Sequence, residues 1–464
     1  MDAIDTVENA VLASLAAAPT ASAHDLPVTH YRLAVSGGLD SMVLLHVMAG
    51  LRAQLGRSAL TCYYVNHGLH PEAPEWGTVV ARAAEDLGVP FVALDAGRID
   101  SADGGLEAAA RKARYAVLAT AMEEGDVLLT AHHQDDQAET VLLQLLRGAG
   151  VAGLRAMPAS GRFGPGTHRR PLLALSRETL AAYAKARELV WIDDPSNSEQ
   201  KHDRNYLRQS VLPLLRARWP AVAGTLAQLA ATCADEQQVL DGAAVVDLAA
   251  AVADDSSLAA EAVRSLPPAS ARNGLRWWLR QQGFAAPPRA RLEALLTDLL
   301  PARADAQPCV RWQGCEVRRY QDRLYAMAPL APSPDGSVSL PFPSTTNASL
   351  TLPDRSVLSV ERQRGRGIAE HWLRSHDVRI GWRRGGEKLV LPGRTHTSSL
   401  KKVLQARGVL PWMRERVPLV LIDGQVAGVA GVLVAGPFAA EHDAPGYTVS
   451  WQAGTPICAS PARS

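Results

Sequence analysis

Between residues 31 and 146, short apolar runs alternate with longer stretches in which apolar positions recur every three to four residues. The runs at 31–35 (YRLAV), 60–65, 91–94 and 127–131 are too short for helices and predict buried strands. The periodic stretches predict helices near 41–55, 75–87 and 106–123, with a fourth from about 135 to 146. Parallel strands need crossover helices on both faces of the sheet, so this rhythm predicts an α/β domain with a doubly wound parallel sheet. Ligands of such sheets bind outside the carboxyl ends of the strands.

Outside that region the patterning changes. Residues 3–15 predict a short amphipathic helix, and 177–219 a helical extension rich in Arg and Trp. Between Trp219 and Arg264 there is no Lys or Arg, while Asp235, Glu236, Asp241, Asp247, Asp254, Asp255 and Glu261 accumulate, a surface that would repel a phosphate backbone. Helical patterning continues to about 300, and 329–343 (PLAPSPDGSVSLPFP) has the Pro/Ser/Gly character of a linker or extended edge. The expected division is a catalytic domain over 1–218, a helical middle domain over 219–328, a linker and lead-in over 329–370, and a small mixed or β-rich domain over 371–464.

Composition narrows the class without deciding the chemistry. At ~150 residues per domain, 464 residues suggest about three domains. The 47% apolar and 20% charged residues are ordinary for a globular chain and exclude a mostly disordered one. With 48 Lys+Arg against 47 Asp+Glu, attraction to nucleic acid has to come from clustering. One cluster exists: residues 383–416 hold nine Lys/Arg (Arg383, Arg384, Lys388, Arg394, Lys401, Lys402, Arg407, Arg414, Arg416) against Glu387 and Glu415. Trp382, His396 and Trp412 are interleaved, as expected of a phosphate-tracking surface. Five scattered cysteines with no C-x-x-C argue against a disulfide framework, zinc ribbon or dithiol centre and fit a reducing cytoplasm. Residues 11–23 resemble a signal core, but Asp2, Asp5 and Glu8 precede them without a Lys or Arg, the reverse of a secretory signal. The apolar stretch 417–436 is interrupted by Asp423, Gln425 and glycines, so no membrane span is expected.

The sharpest motif is Ser36-Gly37-Gly38-Leu39-Asp40-Ser41, directly after the first predicted strand and before a helix. Its glycines permit a tight turn whose N–H groups nest an oxyanion, and Ser36 and Ser41 add hydroxyls. Asp40 would repel phosphate unless a divalent cation intervened, which points to Mg²⁺. No lysine follows the glycines, so this is not the G-x-x-x-x-G-K-[ST] loop. His132, His133, Asp135 and Asp136 follow the 127–131 strand and open a helix at the same end of the sheet. A hydrolase metal cluster there lacks a second set of histidine ligands; a helix cap explains one aspartate and leaves the other. Arg111, Lys112 and Arg114 share a helix that would ordinarily present a solvated face. His67 is equally suited to hold a nucleotide or to brace a loop.

The S-G-G-L-D-S loop resembles that of the N-type ATP pyrophosphatases, the PP-loop superfamily, at every defining position. Within it the chain is similar to the tRNA(Ile)-lysidine synthase family, through VNHGL with Pro71-Glu72, LEAAARKARY, TAHHQDDQAETVLLQLLRGAG, RPLL, WIDDPSN and RNYLR, then GEKL, LKKVLQ and PWMRERVP. The resemblance is strong at both ends and weak over about 221–369. It implies an enzyme, a ligase in which ATP adenylates the C2 oxygen of the wobble cytidine of an isoleucine tRNA with a CAU anticodon. Free L-lysine then displaces AMP, giving lysidine, AMP and pyrophosphate. It implies ATP and Mg²⁺ as cofactors, and it leaves a homodimer open.

On that reading Ser36, Gly37, Gly38, Leu39, Asp40 and Ser41 bind ATP, and Asp40 and Asp136 hold Mg²⁺. Arg111, with Arg114 second, stabilises the transferring phosphoryl group. Asp135 organises the amine or the nucleotide and is the first candidate to accept lysine's proton, with Glu139 second. Expected tRNA contacts are Arg204, Asn205 and Arg208, with Arg169 and Arg170 upstream, and Lys388, Arg394, Lys401, Lys402, Arg407, Arg414 and Arg416; Arg362, Arg364 and Arg366 read as a solvated loop. The alternatives are a tRNA thiolase of the same superfamily, disfavoured by the missing cysteine pair, a small-molecule amidating ligase, and a nonenzymatic tRNA-binding protein.

Overall fold

The apolar runs of the amino-terminal half pair side by side, with the most hydrophobic at the centre. The computed structural model describes residues 2–16, 28, 30–56, 58–66, 68, 73–97, 106–193, 203–303, 306–334, 336–340 and 347–453. They form two compact units, Met1–Val239 and Leu240–Ser464.

In the first unit, α1 (Ala3–Ala16) precedes β1 (His30–Ala34), α2 (Leu39–Gly50), β2 (Ala59–Asn66), α3 (Ala73–Asp86), β3 (Phe91–Asp95), α4 (Leu106–Thr120), β4 (Asp126–Leu129) and α5 (Gln134–Leu146). A short α6 (Val151–Leu154), the hairpin β5 (Ser160–Phe163) and β6 (Gly166–Arg169), and α7 (Arg177–Ala186) follow. The strand order is β3-β2-β1-β4-β6-β5, parallel except for β5, which runs antiparallel to β6 at the edge. Every residue of β4 is buried, as a central strand covered on both faces requires, whereas edge strand β3 is partly exposed. Helix α2 buries Met42, Val43, Leu44, Leu45, Val47 and Met48, each fully buried Leu contributing about 1.5–3 kcal/mol. It ends at Gly50, before the expected 55, and a 3₁₀ turn over Arg52–Gln54 takes its place. In α1, Val7 and Val11 are completely buried in the same core, so the amphipathic pattern of residues 3–15 is a packing face. The chain winds from β1 to β2 and β3 on one side and resumes at β4 on the other. The crevice between the carboxyl ends of β1 and β4 is therefore the topological switch point.

Past α7, the helical extension is built from α8 (Asp203–Tyr206), a π turn (Leu207–Val211) and α9 (Leu212–Arg218), leading into α10 (Val222–Leu248). The second unit opens with helices, as expected, but its sheet was not anticipated. Strands β7 (Leu258–Ala259), β8 (Cys309–Trp312), β9 (Cys315–Tyr320) and β10 (Arg323–Met327) form an antiparallel sheet ordered β7-β10-β9-β8. Against it pack α11 (Ala260–Arg264), α12 (Pro268–Gln281) and α13 (Arg289–Ala294) around fully buried Leu275, Leu279 and Leu292. The β9–β10 hairpin turns through Gln321 and Asp322 at φ 44° and 63°, left-handed positions usually signalled by Asn-Gly. That unusual pair hid the hairpin.

The last part carries a five-stranded sheet built on Val378–Gly381, Leu419–Ile422 and Gln425–Val429, and a four-stranded one including Asn347–Thr351, Val357–Arg364 and Pro445–Gln452. Residues 337–339 pair with Val378–Gly381, and 347–351 and 357–364 pair with each other. Strands within the 329–370 lead-in thus belong to these sheets. Arg362 and Arg364 are strand residues, not loop residues, and Arg362 bonds Glu370 at 2.9 Å. No helix among the described residues is long and apolar enough to cross a membrane.

Candidate active site and nucleic-acid interface

The loop after β1 and the start of α5 after β4 meet at the switch point. Gly37 sits at φ +91°, a backbone conformation that favours glycine, and a β-carbon there would lie 2.7 Å from Ile192 Cδ1 and force that side chain to shift. Ser41 Oγ donates to Gly38 O at 2.8 Å and accepts the Ser36 N–H at 3.2 Å, closing the loop on the amino terminus of α2. Ile192 N–H binds Gly37 O at 2.9 Å, holding the Trp191–Asp193 segment over the loop. Backbone N–H groups and a helix dipole of this kind suit an oxyanion chemically.

His133, almost completely buried, is the hub of the crevice. Its Nε2 lies 3.5 Å from Asp40 and 3.4 Å from Asp136, and its Nδ1 3.7 Å from Asp135. Burial works against the imidazolium, yet Asp40 and Asp136 outweigh it and hold His133 above its ordinary pKa. Burial alone would raise Asp40, but His133, with Arg177 and Arg208, keeps it below the usual carboxylate range. The Asp136 carboxylate also accepts the His133 N–H at 3.1 Å, capping α5. The sequence reading therefore placed Asp40, Asp135 and Asp136 correctly at one sheet end, but did not give His133 this central position.

The two adjacent aspartates diverge. Asp136 accepts Arg208 Nη2 at 2.9 Å. Asp135 accepts the Arg177 N–H at 2.9 Å, pairs with Arg216, and lines a cavity of about 560 Å³ with Leu39, Arg177, Trp191, Asp193 and Arg216. Glu139 is sealed below, bonded by Arg208 at 2.6 and 3.0 Å and paired with Arg204 at 3.4 Å. Burial raises its pKa, with Arg208 opposing. Arg208, expected to face RNA, points at these carboxylates, and Arg204 also donates to Thr140 at 2.9 Å. The π turn that carries Arg208 rotates it inward, a tertiary effect with no local sequence signature.

A second cluster went unread in the sequence. Thr130 Oγ1 bridges His132 Nδ1 at 2.7 Å and His168 Nε2 at 2.8 Å. Burial, with Arg170 and Arg111 nearby, pushes both histidines down to about 3, so they are neutral. Arg111 stacks 5.1 Å over the Tyr115 ring beside them, exposed, while Arg114 is partly buried. Arg169 does not join a surface patch: it is buried, and Nη1 donates to Leu15 O at 2.9 Å. Arg170 Nη1 likewise binds Pro158 O at 2.7 Å. His67, Pro71, Glu72 and most of WIDDPSN lie outside the described residues.

In the second unit Lys388, Arg394, Lys401, Lys402 and Arg407 are exposed, the two lysines on the helix Leu400–Ala406. Arg414 and Arg416 are partly tied up, donating to Val409 O at 2.8 Å and Trp412 O at 3.0 Å.

The chain matches known proteins along most of its length. Residues 14–215 match a family model described as a PP-loop domain, 258–325 a TilS substrate binding domain, and 378–451 a TilS substrate C-terminal domain. Among similar proteins, the tRNA(Ile)-lysidine synthase of Methylococcus capsulatus is 41% identical over 92% of this chain and 97% of its own length. Those of Alkalilimnicola ehrlichii and Coxiella burnetii are 41% and 39% identical, each over 91% of this chain and 93% of theirs.

Proposed function

The chain belongs to the tRNA(Ile)-lysidine synthase family, and from that premise we propose how its residues divide the work of joining lysine to C2 of a wobble cytidine at the expense of ATP. The substrates are ATP, free L-lysine and the CAU-anticodon isoleucine tRNA. The products are AMP, pyrophosphate and a base that pairs with A instead of G. A cytosine carbonyl is a poor electrophile, so its oxygen is first adenylated and then leaves as AMP when the amine attacks.

The observation that carries this reading is the convergence of the Ser36–Ser41 loop with Asp40, His133 and Asp136 at the switch point. The free loop N–H groups and the Ser36 hydroxyl hold the β and γ phosphates, and Ser41 joins them by turning its hydroxyl away from Gly38 O. Asp40 and Asp136 suit a hard divalent cation: Asp40 Oδ1 is buried without a hydrogen bond, and both carboxylates face one nitrogen. Among the described residues no group of three or more His, Cys, Asp or Glu is arranged to hold a metal, so ATP's oxygens would complete the shell, as Mg²⁺ prefers. Bound there, Mg²⁺ would neutralise charge gathering on the departing pyrophosphate. Arg111 stabilises charge on the transferring phosphoryl group.

Lysine fits the Asp135 cavity. Its carboxylate meets Arg177 and Arg216, and its side-chain amine meets Asp135 and Asp193 by displacing Arg216 from Asp135. The amine, with an unperturbed pKa of about 10.4, must lose a proton to attack. Asp135 lines this cavity, whereas Glu139 is sealed under two arginines, so Asp135 is the better placed acceptor. The exposed cations of the second unit track the tRNA backbone. Sulfur delivery is disfavoured, because Cys62 is buried and burial pushes its thiol up to about 12.

The test is incubation of the protein with ATP, Mg²⁺, labelled lysine and unmodified tRNA. Label enters the tRNA, and omitting lysine accumulates an adenylated tRNA or its hydrolysis product. Formation of lysyl-AMP would mean that the amino acid is activated and would overturn the mechanism.

A further inference from the structure

In the second unit, Arg318 of β9 and the basic segment 383–416 enclose a cavity of about 380 Å³. Five cations line it, Arg318, Arg383, Lys401, Arg414 and Arg416, against the single carboxylate Glu415. A neighbouring cavity of about 360 Å³ shares Arg383 and Glu415 and is lined by Trp382. Several cations are held in place by protein oxygens: Arg318 Nε by Glu316 at 2.8 Å, Arg414 Nη2 by Tyr320 OH at 3.0 Å, and Arg416 Nη1 by Trp412 O at 3.0 Å. Each guanidinium has five N–H donors, so these bonds orient it and leave others for a ligand. Arg318 also stacks 5.5 Å over the Trp412 ring. Burial, reinforced by Arg318, pushes Arg416 down, with Glu415 and Glu316 opposing.

The walls carry a second, independent signal. Trp412 and Trp382 are each only 6% exposed, and the Nε1–H of both lacks a hydrogen-bond acceptor, while Arg383 Nε has only the Glu387 carboxylate, 3.6 Å away. Buried donors are normally satisfied, so the two indoles ask for an acceptor. One tetrahedral oxyanion would supply both the missing charge and several acceptor oxygens.

We propose that this cavity is a phosphate socket in which Arg383, Lys401 and the indole N–H of Trp412 grip a phosphate group of the RNA substrate. The socket is distinct from the diffuse track of exposed lysines, because it sets a phosphate's position through oriented donors. It joins the basic terminal segment to the preceding sheet through Arg318, so it exists only when both are folded together. Identifying the phosphate with RNA rests on the tRNA reading; binding of phosphate does not.

The test uses the full chain labelled with 5-fluorotryptophan, the Trp412 fluorine resonance being assigned by its loss in Trp412→Phe. Inorganic phosphate shifts that resonance, and Lys401→Ala, at an exposed position that does not endanger folding, raises the midpoint several-fold. This local signal separates the socket from phosphate bound at the Ser36–Ser41 loop. Trp412→Phe, which keeps an aromatic ring but removes the indole N–H, weakens tRNA binding several-fold. A loss confined to 5′-phosphorylated transcripts assigns the socket to the RNA end, and an equal loss with 5′-hydroxyl transcripts assigns it to an internal phosphate. A Trp412 resonance unmoved at saturating phosphate overturns the socket, and unchanged tRNA affinity in both variants overturns its assignment to RNA. Absence of lysine transfer with the phosphate response intact would instead sink the functional reading.

Discussion

Asp40 and Asp136 show how little separates a cap from a catalytic group. Asp136 caps α5 through the His133 N–H, yet its carboxylate also faces the nitrogen that Asp40 faces. A cap alone would lose about 1 kcal/mol of stability on replacement by Ala. A phosphate-and-metal role predicts much more for turnover: Asp40→Ala and Asp136→Ala each abolish pyrophosphate release and leave tRNA affinity nearly unchanged. Pyrophosphate assay and tRNA titration on the same preparations check this, and near wild-type turnover at saturating Mg²⁺ would remove the assignment.

At the scale of elements, the π turn and α5 are tied by Arg208, which spans Asp136 and Glu139. Removing one partner of a buried pair leaves the other charge uncompensated. Arg208→Leu is expected to destabilise the first unit by about 1–3 kcal/mol, the residual Arg204 pairing limiting the effect. Adding Glu139→Gln should recover much of it, and urea unfolding of the single and double variants measures the coupling. The ends of β4 and β6 are tied by Thr130 between His132 and His168. Both histidines have folded pKa values of about 3 against an ordinary 6.5, so the unfolded chain binds more protons between these values. Their contribution is complete above about pH 6.5 and is lost as pH falls toward 3. His133 has the opposite sign: with its pKa raised, its contribution is present below 6.5 and fades as pH rises through the folded value. His168→Gln should flatten the acid limb of stability against pH, and an unchanged limb would place the acid sensitivity elsewhere.

Over the whole molecule, charge balance conceals a division of labour. The acidic stretch 219–264 and the basic stretch 383–416 nearly cancel in a chain of net charge +1. Replacing Lys401 and Lys402 by Ala should weaken tRNA binding and lower the slope of log affinity against log salt by ~0.7 to 0.9 for each phosphate no longer neutralised. ATP affinity should hold, since the nucleotide loop lies in the other unit. Weakening restricted to the isoleucine tRNA would show that this helix reads a specific feature, and no weakening at all would make it a structural helix.

The sequence by itself determined the doubly wound sheet, because buried parallel strands must be apolar and crossover helices periodic, and both signals are local. It also determined where chemistry gathers: a Gly-rich loop after one central strand and paired acids after another necessarily meet at the switch point. What it left undecided were pairings between distant residues. The inward turn of Arg208, the burial of Arg169, the Thr130 bridge and the cavity uniting Arg318 with Trp412 depend on which surfaces come together on folding. A charged residue reads the same in sequence whether its partner is water or a carboxylate dozens of positions away, and only the tertiary structure supplies that partner.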